Sequence, residues 1–283
     1  MACADLHIHS VWSDGTFTPE EIVSRARARG LGLISVCDHN VTEGTLETQK
    51  LAQAAGLGYI TGVEIDALHR GTDVHILCYG ADLQNEALLE CIRYARSRLD
   101  DMSTELLRRM LPDYPNLSME EYEALAHDPA QGGWKMLQYL KLRHVTQTLR
   151  EGFAFYDRYN VRYADAGFDA AANVIPLIHA AGGRAVLAHA GVTFEWNTLN
   201  ELLAQTRDVL DAGFDGAECY YPRHDAGVTR SLVEICRQRG MLITAGSDCH
   251  GAFNHSEIGQ TRTPMEWLVT GDQWLVIRAC SHY

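Results

Sequence analysis

Residues 5–14 read D-L-H-I-H-S-V-W-S-D and place His7 and His9 two positions apart in a short apolar run, with Asp14 close behind. Side chains at positions i and i+2 of a β-strand point to the same face, so the two imidazoles can converge on one cation. The turn that follows the strand brings the Asp14 carboxylate alongside them. This stretch predicts a strand that ends in a metal site, a prediction that depends on where the other potential ligands lie.

Four further apolar runs have the same form, and each ends on a potential metal ligand. They are L-I-S-V-C-D-H at 33–39, Y-I-T-G-V-E at 59–64, A-V-L-A-H at 185–189 and L-I-T-A-G-S-D-C-H at 242–250. A fifth run, V-H-I-L-C-Y, places His75 at the start of a short strand. Such runs are typical of strands buried on both faces. We expect their last residues at the C-terminal edge of a sheet or barrel, where α/β folds build active sites.

The composition is that of a folded acidic protein. Its 283 residues are 46% hydrophobic, which suits one α/β barrel with or without a small insert. With 24 Lys+Arg against 37 Asp+Glu, the formal net charge is −13, which disfavours loose binding to duplex nucleic acid or to an anionic membrane. Cations held in a pocket can reverse the local sign, so an anionic small-molecule substrate stays compatible with this charge.

The sequence shows no recognisable targeting signal, and its cysteine spacing is typical of a cytoplasmic protein. No stretch approaches 18 apolar residues, and the first predicted strand leaves no room for a signal peptide. The eight cysteines form no C-x-x-C pair, and several lie inside the predicted buried strands. We therefore expect a soluble cytoplasmic protein with reduced, packed thiols.

Predicted strands and helices alternate along most of the chain. T-P-E-E at 18–21 is a capping box, with Thr18 as N-cap and Pro19 at the first helical position. Further helices are predicted over 42–55, 170–181, 198–211 and 226–239, and further strands over 184–189, 215–220 and 241–247. This alternation predicts a mainly parallel sheet.

Residues 84–168 break this alternation. They are rich in Leu, Glu, Arg, Tyr and Met at helical spacing and contain no clear buried-strand run. We predict a helical cap subdomain there, inserted between the two parts of a barrel domain at 1–83 and 169–283. A cap at this position would overhang the C-terminal rim of the barrel.

Imidazoles and carboxylates collect at the predicted strand ends. The nine candidates are His7, His9, Asp14, His39, Glu64, His75, His189, Asp248 and His250. Nitrogen and oxygen donors without thiolate favour Zn, Mn or Fe over Ca or Mg, and this many ligands suits a multinuclear site. In hydrolases, such a cluster activates a bound water and clamps substrate oxygens, which fits a phosphate ester well.

Taken singly, each candidate is better interpreted as a hydrogen-bonded core histidine or a surface carboxylate. Nine together at strand ends favour the metal site. The other histidines lack that context, and we interpret them as surface or packing residues: His69, His127, His144, His179, His255 and His282.

These motifs together resemble the PHP (polymerase and histidinol phosphatase) family of metal-dependent phosphoesterases. The matching stretches are D-L-H-I-H-S with S-D-G, C-D-H-N, G-V-E-I, the lone His75, L-A-H-A-G and G-S-D-C-H-G, in the order of the family. The resemblance implies an α/β fold, a distorted, TIM-like (β/α)7 barrel, here with the inserted helical subdomain. It also implies two or three divalent metal ions, with Mn, Zn and Fe as the candidates.

The resemblance also implies how the ligands are shared. One metal would take His7, His9, Glu64 and Asp248; a second would share Glu64 and add His75 and His189; a third would take Asp14, His39 and His250. The implied substrate is a small phosphorylated molecule, expected to be a nucleotide.

A narrower resemblance is to the branch that removes phosphate from nucleotides such as 3′,5′-bisphosphonucleotides. The stretches F-Y-D-R-Y and E-C-Y-Y-P-R-H-D are similar to that branch. Where the branch often carries a G-R-P-H-like element, this chain reads G-G-W-K at 132–135, so that Lys135 would supply a point charge in place of the Arg fork.

The implied mechanism is direct attack of a metal-bridging hydroxide on phosphorus. Arg223, Lys135 and Arg162 are the candidates that orient the phosphate. His224 is expected either to contact the substrate or protonate the leaving oxygen, or to act from behind the ligands. Asp38 is expected to fix the geometry around His39. Three alternatives stay open: a C–N bond hydrolase, a 5′-3′ exonuclease on short oligonucleotides, and a noncatalytic scaffold module.

Overall fold

The computed structural model describes residues 2–269. Its strands are β1 (Cys3–Ile8), β2 (Leu31–Val36), β3 (Gly58–Tyr59), β4 (Gly62–His69), β5 (Thr72–Tyr79), β6 (Arg184–Leu187), β7 (Gly216–Tyr220), β8 (Leu242–Ala245) and β9 (Thr263–Pro264). Its α-helices are α1 (Pro19–Ala28), α2 (Glu43–Ala54), α3 (Glu86–Met110), α4 (Met119–Ala124), α5 (Lys135–Leu142), α6 (Phe153–Arg158), α7 (Ala171–Ala180), α8 (Ala190–Thr193), α9 (Leu199–Leu210) and α10 (Ala226–Arg239).

The strands form two sheets, of order β3-β2-β1-β9 and β4-β5-β6-β7-β8. The pairs β1–β2, β2–β3, β6–β7 and β7–β8 are parallel, whereas β4–β5, β5–β6 and β1–β9 are antiparallel. The expectation of a mainly parallel sheet is therefore wrong for the middle of the chain. The reason is that β4 and β5 form a hairpin instead of being joined by a helical crossover.

The β4–β5 hairpin turns at Arg70 and Gly71, both with positive φ (50° and 84°), as a two-residue hairpin turn requires. β4 continues for five residues beyond Glu64, to His69, so Glu64 sits inside β4 and not at a strand end as the sequence suggested. His75 is likewise inside β5 and not at its start. Both side chains nevertheless lie on one face of the hairpin, because Asp66 pairs directly with His75 and alternate residues share a face.

The fold is mixed α/β. Within residues 2–269 the strands form two separate hydrogen-bonded sheets, and they do not form one closed barrel of continuous strand pairing. Single bridges link the sheets at two places, Ile8 with Cys249 and His39 with Glu64. Both bridges involve or adjoin predicted metal ligands. The predicted ligands thus lie where the two sheets meet.

Several helices agree with the sequence prediction to within a residue or two. In α1 the Thr18 side chain accepts from the backbone N–H of Glu21, and the Glu21 carboxylate accepts from the backbone N–H of Thr18, which completes the capping box. The predicted helices at 170–181, 198–211 and 226–239 correspond to α7, α9 and α10.

Residues 80–183, all of which the structure describes, contain α3 to α7 and no strand. One face of α3 is buried at helical spacing, including Leu88, Ile92, Leu99 and Leu106. These side chains share one hydrophobic cluster with β4 residues such as Ile65. The inserted helices therefore pack directly onto the sheet that carries Glu64.

The sequence predicts no membrane-spanning helix. None of the helices in residues 2–269 is both long enough and apolar enough to cross a bilayer.

Candidate metal centre

Glu64 lies at the centre of the predicted ligands and is fully buried. Its two carboxylate oxygens lie 2.8–3.4 Å from ring nitrogens of His7, His9, His39, His75 and His189. The shortest of these distances, 2.8 Å, joins Glu64 Oε1 to His75 Nδ1. One carboxylate thus connects imidazoles from strands of both sheets.

Asp248 and Asp14 complete the cluster. Asp248 Oδ1 lies 3.2 Å from His9 Nε2 and 3.5 Å from His250 Nδ1. Asp14 Oδ1 lies 3.2 Å from His250 Nε2, and the rings of His9 and His250 stack with centroids 3.9 Å apart. All nine predicted ligands are therefore together in one place.

Three sets of these donors could each hold a cation, since within each set the donor atoms lie within 4.8 Å of one another. The sets are His7, His9, Glu64 and Asp248; His9, Asp14, His39 and His250; and His39, Glu64 and His75. The first set is the one that the family resemblance implied, and the second adds His9 to the implied third site. In the remaining set His39 stands where His189 was expected, although His189 Nε2 lies 3.1 Å from Glu64 Oε1.

The backbone at several of these positions is strained. His189, Asp248 and Asn40, which follows His39, have φ of 24°, 51° and 52°. Non-glycine residues seldom adopt this left-handed region, and each such residue costs on the order of 1–3 kcal/mol. Strain of this kind concentrates at functional sites, where the surrounding structure holds a side chain in a required direction.

The charges of the cluster compensate one another. Burial opposes ionisation of Glu64, but the imidazoles of His39, His7 and His75 outweigh it and hold the Glu64 pKa well below its usual range. Burial likewise opposes protonation of His39, and Glu64 with Asp66 outweighs it and raises the His39 pKa to about 9. In the absence of a cation, protons on the histidines thus balance the buried carboxylates.

The donor set fits transition-metal cations. His7 Nε2 and His9 Nε2 lie only 3.1 Å apart and both face Glu64, so their lone pairs converge on one point. His39 Nδ1 and Asp66 Oδ1 are buried without a hydrogen bond. Converging imidazole and carboxylate donors without thiolate are typical of Zn, Mn and Fe sites in hydrolases.

Comparison with protein families supports the metal chemistry that the donor set indicates. A model of the PHP domain matches residues 5–214. The chain belongs to the PHP domain family. Family membership and the buried cluster together indicate a metal-dependent phosphoesterase.

Individual relatives of this PHP protein act on different phosphoesters. It is 30% identical over 264 residues to the 3′,5′-nucleoside bisphosphate phosphatase of Chromobacterium violaceum, covering 88% of each chain. It is 25% identical over 273 residues to the 5′-3′ exoribonuclease Rnm of Escherichia coli, covering 94% of this chain and 90% of the relative. A solved structure from Bifidobacterium adolescentis, assigned as a metal-dependent phosphoesterase, superposes with a TM-score of 0.75 at 25% identity, covering 97% of this chain and 94% of the other.

Sequence reasoning missed Glu218, a fully buried acid on β7. Its Oε1 accepts from His7 Nδ1 at 3.1 Å, and its Oε2 accepts from the His189 backbone N–H at 3.0 Å. A Cβ on Gly246 would lie 2.3 Å from Glu218 Oε1 and 2.1 Å from His7 Cβ, so only glycine permits this packing. The available signal was a charged residue inside the apolar run G-A-E-C-Y.

The loop after β1 is shaped by Asp38. The Asp38 carboxylate accepts from the Ser10 backbone N–H at 2.7 Å and from the Ser13 hydroxyl at 2.6 Å. These bonds fix the segment between His9 and Asp14. Asp38 therefore holds the loop that carries Asp14. It also precedes His39 in the chain.

His224 has both ring nitrogens engaged by the backbone. Nδ1 lies 3.1 Å from the Cys219 carbonyl and must donate to it, while Nε2 accepts from the Gly191 N–H at 3.0 Å. This arrangement favours the second of the two predicted roles, holding the segment next to His189. A second missed residue, Tyr221, donates its hydroxyl to Asp248 Oδ2 at 3.0 Å.

The inserted helices approach the centre directly. The Gly133 N–H donates to the Asp14 carbonyl at 2.8 Å, and the Trp134 ring lies 5.7 Å from the His39 ring. Trp134 also lines a cavity of about 710 Å³. The cavity is lined by residues between 96 and 163 and by none of the nine predicted ligands, so Trp134 is the residue that lies between the cavity and His39.

The three predicted phosphate-binding residues lie at different places. Lys135 and Arg162 line the cavity. Lys135 Nζ donates to the Glu123 carbonyl at 3.1 Å, and Arg162 Nε donates to Asp165 at 2.9 Å. Arg223 is exposed and lies two positions after Tyr221, whose hydroxyl contacts Asp248.

The histidines interpreted as ordinary residues lie outside the cluster where the structure describes them. His69 and His179 pair with surface carboxylates, Asp208 and Asp215, each at 2.8 Å. His282 lies outside the described residues.

Proposed function

We propose that this PHP protein is a phosphatase that hydrolyses a phosphate monoester on a nucleotide or 3′,5′-bisphosphonucleotide. The observation that carries the proposal is the nine-residue cluster around Glu64 beside a cavity much larger than a phosphate group. The relative from Chromobacterium violaceum, a 3′,5′-nucleoside bisphosphate phosphatase, supports the choice of substrate.

The cavity has the chemistry of a nucleotide site. It is lined by the cationic side chains of Arg96, Lys135 and Arg162, by the acids Asp100, Glu123 and Asp157, and by the aromatic rings of Tyr122, Trp134, Phe153, Tyr156 and Tyr163. Cationic groups bind a phosphate, and aromatic faces stack on a base. Its volume of about 710 Å³ lies in the range typical of small-molecule sites.

Two or three divalent cations bound in the cluster would activate a water for attack and neutralise charge on the phosphoryl oxygens. The protein's own part is to hold the donors. Glu218 orients His7, Asp38 holds the loop of Asp14, and Tyr221 fixes Asp248 through its hydroxyl. We assign His224 to positioning, since neither of its nitrogens is free to exchange a proton with the substrate.

The inserted segment at 84–168 would act as the cap that closes the substrate site. Its Gly133 and Trp134 contact the centre, and its helices supply most of the cavity wall. Water exclusion by such a cap strengthens every electrostatic interaction inside the site.

We also interpret the two sheets as one distorted barrel. The seven strands β1, β2, β4, β5, β6, β7 and β8 form a ring if the single bridges His39–Glu64 and Ile8–Cys249 are counted as its two weakest joints. The metal centre would lie on both joints, where regular pairing is interrupted by residues that bind cations.

A second candidate is removal of nucleotides from the 5′ end of a short oligonucleotide. The relative in Escherichia coli is a 5′-3′ exoribonuclease. The cavity wall includes cationic and aromatic side chains, which also suit a single strand, since stacking on bases is tolerant of sequence.

A release assay separates these activities. The Mn²⁺-loaded protein would be incubated with 3′,5′-bisphosphonucleotides, nucleoside monophosphates, sugar phosphates, 5′-phosphorylated oligonucleotides and a panel of amides. We expect inorganic phosphate from bisphosphonucleotides at the highest kcat/KM. Preferred release of mononucleotides from oligonucleotides would favour the second candidate, and amine release would contradict the proposal.

Asp248→Ala is the inactive variant, and Asp208→Ala is its matched control, because Asp208 is a partly exposed surface acid paired with His69. We expect Asp248→Ala to abolish phosphate release while the fold is kept. Turnover by Asp248→Ala at wild-type metal content would contradict the assignment.

A further inference from the structure

Asp66 is a buried carboxylate with no predicted role, and it lies behind two of the predicted ligands. It follows Glu64 by two positions on β4, so both side chains point to the same face of the hairpin. It is 1% exposed. Asp66 Oδ1 lies 3.2 Å from His75 Nε2, and its Oδ2 lies 3.7 Å from His39 Nδ1.

Both of these rings present their other nitrogen to Glu64. His75 Nδ1 lies 2.8 Å from Glu64 Oε1, and His39 Nε2 lies 3.4 Å from Glu64 Oε2. Each imidazole therefore lies between two carboxylates, Glu64 on the side of the centre and Asp66 behind. A neutral imidazole has one N–H and one lone pair, so a proton held on the nitrogen that faces Asp66 leaves the lone pair on the side of the centre.

Asn40 holds Asp66 in this position. The Asp66 backbone N–H donates to Asn40 Oδ1 at 3.1 Å, and Asn40 Nδ2 donates to Asp66 Oδ2. Asn40 follows His39 in the chain and has a positive φ of 52°, so the contact joins β4 to the strained segment that carries His39. The carboxylate is thus fixed relative to both rings.

Within residues 2–269, His75 Nε2 is the ring nitrogen that faces Asp66 Oδ1, the oxygen that Asn40 does not contact. Oδ1 is buried without a hydrogen bond, which is costly for a carboxylate unless a donor faces it. Asp73 also approaches His75 Nε2, at 3.4 Å, but its side chain is 31% exposed, and no ion pair joins it to His39 within the described residues. Among the described acids outside the ligand set, Asp66 is the one within ion-pair distance of both rings.

We infer that Asp66 is a positioning residue that fixes the tautomer and orientation of His39 and His75 together, and so couples two cation sites of the centre. Attraction to the Asp66 carboxylate would favour the proton of His39 on Nδ1, 3.7 Å from Oδ2, and the proton of His75 on Nε2, 3.2 Å from Oδ1. The remaining nitrogen of each ring would then face a cation. This inference rests on the metal centre of the proposed function.

The test measures cation binding and not turnover. Metal-free wild type, Asp66→Asn and Asp73→Asn would each be titrated with Zn²⁺ and with Mn²⁺ by calorimetry, with circular dichroism to check folding. Loss of a carboxylate behind a ligand histidine typically weakens metal binding roughly 10–100-fold. We expect Asp66→Asn to weaken two sites by this factor and Asp73→Asn to weaken at most one.

Three results would overturn the inference. Asp66→Asn could bind all cations as the wild type does, could weaken one site only as Asp73→Asn does, or could lose one whole equivalent of cation, which would make Asp66 a ligand. If the wild type itself binds no cation here, the proposed function fails as well. Binding by the wild type with an unaffected variant removes the inference alone.

A second measurement needs no variant. Nitrogen-15 NMR of the Zn²⁺-loaded wild type reports which nitrogen of each ring carries a proton. We expect the proton on Nδ1 of His39 and on Nε2 of His75. The opposite tautomer in either ring would contradict the inference even if Asp66→Asn does not fold.

Discussion

Buried imidazoles and carboxylates balance one another's charge at the level of single residues. Burial opposes protonation of His250, yet Asp14 and Asp248 outweigh it and raise the His250 pKa to about 9. The His39 pKa is also raised to about 9, through Glu64 and Asp66. A cation binds the neutral ring, so it competes with these protons for the same nitrogens.

These raised pKa values predict how the stability of the metal-free protein depends on pH. Both groups titrate at a pKa of about 9 when folded, against an ordinary value of 6.5. Their contribution is complete below pH 6.5 and is lost as pH rises towards 9. The free energy of unfolding should therefore fall over this window, by an amount on the order of a few kcal/mol.

Calorimetric melting of EDTA-treated protein between pH 6 and pH 9 checks this prediction. The Zn²⁺-loaded protein is the control and should lack the fall, because the cation replaces the protons. The carboxylates of the cluster stay ionised throughout the window and add no slope. A melting temperature of the metal-free protein that stays constant or rises with pH would contradict the charge balance.

The sequence could predict which nine side chains come together, because most of them stand at the end of an apolar run or beside a turn. It could not predict Glu218 or Asp66. A single carboxylate within a strand has no second ligand at a spacing that would indicate a metal site. The partner of Glu218 is His7, which is 211 positions away along the chain. Such pairs become visible only when the strands are placed side by side.

Among the secondary-structure elements, the helices could be predicted from local sequence signals, whereas the β4–β5 hairpin depends on contacts between strands. The cap of α1 could be identified from four residues because both of its hydrogen bonds are local. The start of α2 was also predicted at Thr42, but Thr42 makes no side-chain cap bond there. For β4, the acids Glu64 and Asp66 made it hard to predict that the strand continues to His69. Charged residues are unusual in a buried strand, and here histidines elsewhere in the fold balance their charges.

The two threonine N-caps give a matched pair of variants. Thr18→Ala removes a hydrogen bond of a complete capping box and should lower the free energy of unfolding by about 1 kcal/mol. Thr42→Ala removes no such bond and should cost only about a few tenths of a kcal/mol. Urea denaturation of the metal-loaded protein measures both values, and equal losses would contradict the assigned difference in capping.

For the whole molecule, the predicted metal centre joins the two sheets. His7 lies on β1 in one sheet and His39 follows β2 of that sheet, whereas Glu64 and His75 lie on strands of the other. Where regular hydrogen bonding between the sheets is reduced to single bridges, donors from both sides converge. The overall α/β class could be predicted from strand and helix alternation, but the cavity could not, because its wall combines side chains from separate helices of the insert.

The central claim, that one cluster around Glu64 binds the catalytic cations, is tested most directly by anomalous X-ray diffraction from crystals grown with Mn²⁺ or Zn²⁺. We predict at least two anomalous peaks, each about 2.0–2.3 Å from its ligand atoms. One peak should lie among His7, His9, Glu64 and Asp248. A fully occupied cation elsewhere, with no peak in contact with Glu64, would contradict the account.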